Sequence, residues 1–355
     1  MKHYLLYGLL LLAALVFLMS WYTASHKIKV GLVYHKDLEK MVDLVIEAAE
    51  RYSGRELPFS IIRKPVDFDK DEIERAVEDL HREGVRLIVG PTYSTQAQFM
   101  IPLLEKFRIL AISPTVTSPA VLGVTQYLVS ISVSDEIQAR ELARAAMENG
   151  GDALLVLDER NYVYTKNFAA NFISEYKGGN AYIMTVDEKW TPQKVYNICE
   201  QLKPRTLVLV CDFDQASKVI KTVMNLDHDF RRILGSDMVS YGVYSIEDHP
   251  WMKAVEVFVH YDIESEETFL ASNPTLAPLF KDQSMTFINT FDALLLMEKL
   301  VKTWGDHPES IIENLPKMTY NGVGGEIRFT TGPVSYTHLR AHETSLHLVC
   351  RLLLE

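Results

Sequence analysis

Residues 85–119, VRLIVGPTYSTQAQFMIPLLEKFRILAISPTVTSP, carry two short apolar runs on either side of one amphipathic stretch. Val85–Val89 is bounded by Gly90-Pro91 and Ile109–Ile112 by Ser113-Pro114, the punctuation of buried strands that end in turns. The spacing between them predicts a helix over 94–107. Two strands joined through a helix are parallel neighbours in a sheet whose faces are covered by helices. Both strands also run into hydroxyls: Thr92, Tyr93, Ser94 and Thr95 after the first, Thr115, Thr117 and Ser118 after the second.

The same alternation extends outward in both directions. Towards the N-terminus, Ile28–Tyr34 and Phe59–Ile62 read as strands; Leu38, Met41, Val45, Ala48 and Tyr52 recur at helical spacing between them, and a second helix is expected over 70–83. Towards the C-terminus the theme restarts with a helix over 135–149, then strands at Ala153–Leu157, Ala181–Thr185 and Thr206–Cys211 with helices over 165–176, 192–202 and 215–226. The fold class is therefore α/β with two doubly wound lobes, which suits 355 residues at roughly 150 per domain. A third block, Met285–Trp304, predicts one long helix with Phe287, Phe291, Leu294, Leu295 and Leu300 on its apolar side. The glycines at 322, 324 and 325 precede a strand-like Glu326–Phe329 and do not open a helix, so they predict a hairpin turn and exclude a phosphate loop.

The two ends of the chain read differently from its body. Lys2 followed by the nearly continuous apolar run Leu5–Tyr22 is an export signal, which places the body on the periplasmic or extracellular face. Thr23-Ala24-Ser25 offers a cleavage site, while the run's length approaches the roughly 20 residues that span a bilayer. It is thus either removed or retained as a membrane anchor over residues 4–24. At the other end, Pro333–Glu355 continues neither pattern and resembles translated sequencing-adaptor sequence, so it is given no function. Its His338 and His342 are four apart, but Glu343 follows the second His instead of the first, so the zinc-protease order is absent.

Composition and motifs narrow the function. With 47 acidic against 36 basic residues and a net charge of −11, the chain lacks the clustered Lys and Arg that a nucleic-acid partner needs. Its three cysteines form neither a disulfide framework nor a metal set, and Cys199 and Cys211 read as buried small hydrophobes. No nucleophile elbow, H-E-x-x-H or C-x-x-C motif occurs, so no enzyme, metal or cofactor is expected. Ligands of open α/β sheets bind beyond the carboxyl ends of the strands. There the first lobe offers hydroxyls and helix-start N–H groups, a cradle for a carboxylate. The second offers Asp158–Tyr162, Asp212-Phe213 and Asp237, where a carboxylate would pair with an ammonium.

Residues 89–121, the segment YLVSISVSDEIQARELA (127–143), the helix FDALLLMEKL (291–300) and YNGVGGEIRFTTG (320–332) together resemble the type I periplasmic binding proteins of the branched-chain amino-acid receptor kind. The resemblance runs over residues 27–332. It implies two Rossmann-like lobes with parallel sheets joined by three crossovers, near 131–134, 259–263 and 316–320. The lobes would comprise 27–132 plus 261–317 and 133–260 plus 318–332, after a signal or anchor over 1–26 and before the foreign tail at 333–355. It further implies that Tyr93, Ser94, Thr115 and Thr117 hold a ligand carboxylate, Tyr162 and Phe213 wall the site, and Asp237 pairs with the ammonium. The implied function is capture of a small polar ligand, an amino acid, for an ABC permease; the alternative is an anchored sensing module that reports to a membrane receptor. Three departures bear on specificity: Tyr34-His35-Lys36-Asp37 passes straight into a helix where relatives have a glycine-rich loop, Phe213 lacks a hydroxyl, and Asp237 is shorter than the usual Glu.

Overall fold

The computed structural model describes residues 27–187, 189–226, 230–240, 250–258, 263–281, 283–329 and the backbone of 348–349. The segments expected to be an export signal and the second crossover, and most of the tail, lie outside these residues. Among the described residues no helix is long and apolar enough to cross a membrane.

Two parallel sheets carry the molecule. The first contains β1 (Ile28–His35), β2 (Phe59–Val66), β3 (Leu87–Val89), β4 (Leu110–Ser113) and β5 (Leu128–Ser130) in the order β2-β1-β3-β4-β5. The second contains β6 (Ala153–Asp158), β7 (Ala181–Val186), β8 (Thr206–Val210), β9 (Arg232–Gly235) and β10 (Val255–Phe258) in the order β10-β9-β8-β6-β7. Leu348–Val349, in the segment set apart by its sequence, adds an antiparallel pair at Phe258 and Val257. Central strands β3, β4, β6 and β8 are buried along their whole length, which is why they read as unbroken apolar runs. Edge strand β7 alternates between exposed and buried residues.

The helices α1 (Glu39–Ser53), α2 (Lys70–Arg82), α3 (Ser94–Phe107), α4 (Asp135–Met147), α5 (Tyr162–Glu175), α6 (Pro192–Leu202) and α7 (Phe213–Val223) alternate with these strands. They fall where the spacing predicts, except that α5 and α7 begin three and two residues earlier. Both early starts have a capping cause. Asp212 caps α7 by accepting from the Gln215 amide at 2.8 Å, and the α5 start is capped from the other lobe, as described below. Each sheet packs apolar clusters on both faces: Leu155, Val208 and Leu234 meet α4 and α5 on one face of the second sheet, whereas Leu154, Leu207 and Leu209 meet α6 and α7 on the other. Cys199 and Cys211 are buried and unbridged, and burial pushes the Cys199 thiol up to about 11.

Beyond α8 (Ile263–Ser272) and the single turn α9 (Ala277–Phe280), α10 (Met285–Trp304) is buried along most of its length. The glycine-rich segment after α11 (Pro308–Asn314) is the expected hairpin, β11 (Thr319–Gly322) paired with β12 (Gly325–Arg328). Asp292 of α10 holds its turn by accepting from the amides of Val323 at 2.8 Å and Gly324 at 3.1 Å. A side chain at Gly322 would lie 2.4 Å from the Asp292 carboxylate, so glycine is required there. The sequence reading groups 318–332 with the second lobe; in the structure Tyr320, Val323, Ile327 and Phe329 pack in the same cluster as Val30 and Leu294 of the first. Asp292 and the α10 face together make that docking site, and neither is visible in the hairpin's own sequence.

Candidate functional site

Segments that follow the carboxyl ends of β3 in one sheet and β6 in the other meet one another. On the first lobe, Gly90 adopts φ 120°, and a Cβ there would stand 2.0 Å from the Val33 carbonyl oxygen. The bare backbone lets the β3 loop cross the end of β1 and fixes where Thr92 and Tyr93 lie. Neighbouring hydroxyls then tie the loops together. Ser113 donates to the Pro91 carbonyl at 2.7 Å and accepts from the Val116 amide at 2.9 Å. Thr115 donates to the Thr92 carbonyl at 2.6 Å, and Ser132 to the Pro114 carbonyl at 2.6 Å. The hydroxyl-rich turns therefore hold their own backbone as well as facing the cleft. Ser94, buried, accepts from the Ser118 amide at 3.4 Å.

The lobes are closed on one another, and the first turns of α3 and α5 cap each other across the cleft. The Thr95 amide donates to Asn161 Oδ1 at 3.2 Å, and the Val163 amide donates to Thr95 Oγ1 at 3.2 Å. Helix N-termini leave backbone N–H groups without intrahelical acceptors, and here each helix takes its acceptor from the opposite lobe. Ser118 Oγ donates to the Val163 carbonyl at 3.2 Å and the Tyr162 hydroxyl to Gln98 at 2.5 Å, completing this lip. Tyr93 and Met285 pack with Tyr164, Met238 and Phe258 in one apolar cluster.

Where the first crossover meets the first-lobe loops lies a buried acidic cluster. The Asp135 amide donates to the Thr117 carbonyl at 3.1 Å, which brings the first crossover against the first-lobe loop. Asp237 opens the turn after β9 and is fully buried. The Tyr164 oxygen lies 2.5 Å from Asp237 Oδ1 and 2.7 Å from Gln138 Oε1. One hydroxyl hydrogen serves one acceptor at a time, and the charged carboxylate is the stronger of the two. Burial, followed by Asp237 and Asp135, raises the Tyr164 proton affinity far above the ordinary phenol. Asp135 is likewise pushed well up, by burial first and by Asp237, while the Thr117 hydroxyl works the other way.

Nearer the mouth, Arg160 donates to both Asp158 oxygens at 3.0 and 2.8 Å and also to Asp212. Burial works against its charge, but these carboxylates outweigh it and hold the proton more firmly than usual. The guanidinium lies 5.8 Å from the Phe68 ring centroid. Phe68 in turn packs on His35 and Tyr93, with centroids 5.0 Å away in both cases.

Of the residues singled out from sequence, Tyr93 packs against Tyr164 of the second lobe, the Thr117 carbonyl accepts from the Asp135 amide at the first crossover, Asp237 meets Tyr164 and Tyr162 reaches Gln98. Ser94 and Thr115, by contrast, bond to first-lobe loops. Phe213 is buried among Cys211, Ala216 and Leu209 on the α6–α7 face of the second sheet. An aromatic at the first position of a helix reads the same whichever way its side chain turns. Asp135, Gln138 and Tyr164 escape sequence reasoning because they lie on helix starts and faces; Asn161 falls in the Asp158–Tyr162 stretch singled out from sequence, but its bond to the Thr95 amide appears only in the tertiary structure. Among the described residues no cluster of acidic, His or Cys side chains is arranged to hold a metal.

The sequence model of the family described as periplasmic binding protein matches residues 36–338. No curated protein sequence matches the chain. Among solved structures, the chain resembles the leucine-binding protein LivK of Thermotoga maritima with a TM-score of 0.75 at 16% identity, over 87% of this chain and 93% of that one. It resembles the branched-chain amino-acid substrate-binding protein LivJ of Streptococcus pneumoniae, in complex with isoleucine, with a TM-score of 0.73 at 17% identity, over 88% and 94%. A solute-binding protein of Rhodopseudomonas palustris in complex with 3,4-dihydroxybenzoic acid gives 0.67 at 18%, over 85% and 88%. At such identities the likeness is one of fold.

Proposed function

The chain belongs to the periplasmic binding protein family, and from that premise we propose that it captures an amino acid in the cleft between its lobes and presents it to an ABC permease. Membership makes it a binding protein acting outside the cytoplasmic membrane, not an enzyme. The observation that carries the choice of ligand is Asp237, a fully buried carboxylate of that acidic cluster, on the lobe opposite the Ser94 and Thr117 hydroxyls. An ammonium leaving water requires a negative partner, and a zwitterion divides its two charges between such lobes. The ligand then favours the closed form through contacts that the open form lacks.

A thermal-shift screen of the full chain against the twenty standard amino acids and a set of aromatic acids tests this reading. An amino acid should raise the melting temperature most. Calorimetry should then show that Asp237→Ala costs on the order of 2–5 kcal/mol of affinity, a few tens-fold to a few thousand-fold. Thr117→Ala should cost less, on the order of 1–3 kcal/mol, because backbone donors remain. An Asp237→Ala protein that binds the selected amino acid as tightly as wild type would overturn the assignment of the ammonium.

A further inference from the structure

Away from the junction of the lobes, the first lobe holds a cavity of about 390 Å³ between α1, α8, α10 and the β11–β12 hairpin. The apolar part of its lining is Tyr52, Phe269 and Leu295, the two rings having centroids 5.3 Å apart. The polar part includes Lys299 of α10 and Tyr320 and Asn321 of β11, with the Lys299 ammonium 5.9 Å from the Tyr320 ring centroid. Among the described residues Lys299 makes no ion pair, and the Tyr320 hydroxyl and the Asn321 side chain make no hydrogen bond. Burial first, then Asp292, Tyr52 and Glu298, raise the Tyr320 proton affinity well above the ordinary phenol, so this hydroxyl stays a donor. The two acids of the lining are already engaged. Asp292 accepts from the Val323 and Gly324 amides, and Glu298 accepts from Ser53 at 2.8 Å and pairs with Lys302. Lys299 is therefore the charge left for an occupant.

We propose that this cavity is a second binding site, separate from the junction of the lobes, for a small aromatic carboxylate: its ring lies against Tyr52 and Phe269, and its carboxylate accepts from the Lys299 ammonium and the Tyr320 hydroxyl. The lining sets the class. Tyr52 is 46% exposed, and a third ring would cover it while adding the tilted and edge contacts that aromatic side chains favour. An ammonium and a phenol offer donors only towards an oxyanion, and the charged one makes the stronger bond. A cation would meet Lys299 and find both carboxylates taken. The volume also suits a small organic molecule. Its occupant would brace four segments distant in sequence, α1, α8, α10 and the hairpin, and so stabilise the first lobe.

Asp292 gives the site a signature of its own. Burial pushes this carboxyl up to about 7, against the pull of the Val323 and Gly324 amides. The other titratable or charged groups that line the cavity are Tyr52 from α1, Tyr320 from the hairpin, and Glu298, Lys299 and Lys302 from its own helix. Below neutrality Asp292 holds a proton and leaves the attraction of Lys299 unopposed. As pH rises through about 7 it gains a negative charge beside the bound carboxylate, so affinity for an aromatic acid falls.

The test uses the full chain with phenylacetate and indole-3-acetate as probes, hexanoate as an acid without a ring, and phenethylamine as a ring of opposite charge. Calorimetry should find the two aromatic acids bound more tightly at pH 6 than at pH 8, and hexanoate and phenethylamine at least about tenfold more weakly. Lys299→Gln should weaken the aromatic acids about 5- to 30-fold, and Lys299→Arg should recover most of the loss. Lys299 is exposed, so both variants should keep the wild-type melting temperature without ligand. Photolysis of bound 4-azidobenzoate followed by peptide mapping gives the location, and the label should fall on peptides that carry Tyr52, Phe269 or Tyr320. A label confined to the loops after β3 and β4 would place the acid between the lobes and overturn the second site. So would a Lys299→Gln protein that binds as tightly as wild type, or a chain that takes up none of the acids. None of these results bears on an amino acid held between the lobes, and an amino-acid screen that fails leaves this site standing.

Discussion

Gly90 shows how much a single residue fixes in this molecule. The loop that carries Thr92, Tyr93 and Ser94 crosses β1 so closely that a Cβ would stand 2.0 Å from a backbone oxygen, and backbone cannot yield as a flexible side chain does. Gly90→Ala should therefore lower stability by about 2–4 kcal/mol, combining overpacking with a φ that L-residues avoid. Chemical denaturation would register it as a lower midpoint with an unchanged slope. Asp135 and Asp237 illustrate the converse, in which position decides chemistry. Both are ordinary aspartates in sequence, one at a helix start and one in a turn, yet each is fully buried once the lobes meet.

Between elements, the decisive contact is the exchange of caps by α3 and α5. Each cap is worth about 0.5–2 kcal/mol, and each exists only while the lobes are closed. Asn161→Ala should remove one acceptor from the closed form, weaken ligand binding by about 2- to 30-fold, and show this mainly as faster ligand dissociation. Asn161→Asp, which still accepts from the Thr95 amide, should recover most of the loss. If stopped-flow measurements gave Asn161→Ala a wild-type dissociation rate, the cross-lobe caps would have no part in closure. The same contact explains why spacing alone places the start of α5 three residues late. Tyr162, Val163 and Tyr164 are poor helix starters by themselves, and the Thr95 hydroxyl that caps Val163 comes from 68 residues away in sequence.

At the scale of the whole molecule, the burial of Asp135 predicts that opening and closing are coupled to pH. The closed form buries Asp135 and raises its proton affinity; an opened cleft would hydrate it and return it towards ordinary behaviour. Closing without ligand therefore takes up a proton, and acid favours it. Small-angle scattering of the unliganded chain should give a smaller radius of gyration at pH 5 than at pH 8, a difference that Asp135→Asn should abolish. Much of the architecture behind this behaviour was legible in sequence. Buried parallel strands declare themselves as apolar runs, helices by their spacing, and the ligand face by the loops that must follow the strands. The strands β5 and β10 did not stand out, because neither ends in punctuation like the Gly90-Pro91 and Ser113-Pro114 turns that mark β3 and β4. The sequence by itself determined two α/β lobes, their strand-end loops and the family, because these depend on local patterns of burial. Only the tertiary structure decided which lobe takes the hairpin, that Phe213 packs in a core, that hydroxyls bind their own loops and that Asp135 joins Asp237. Each of these depends on which way a side chain faces once distant segments meet, and periodicity carries no record of that.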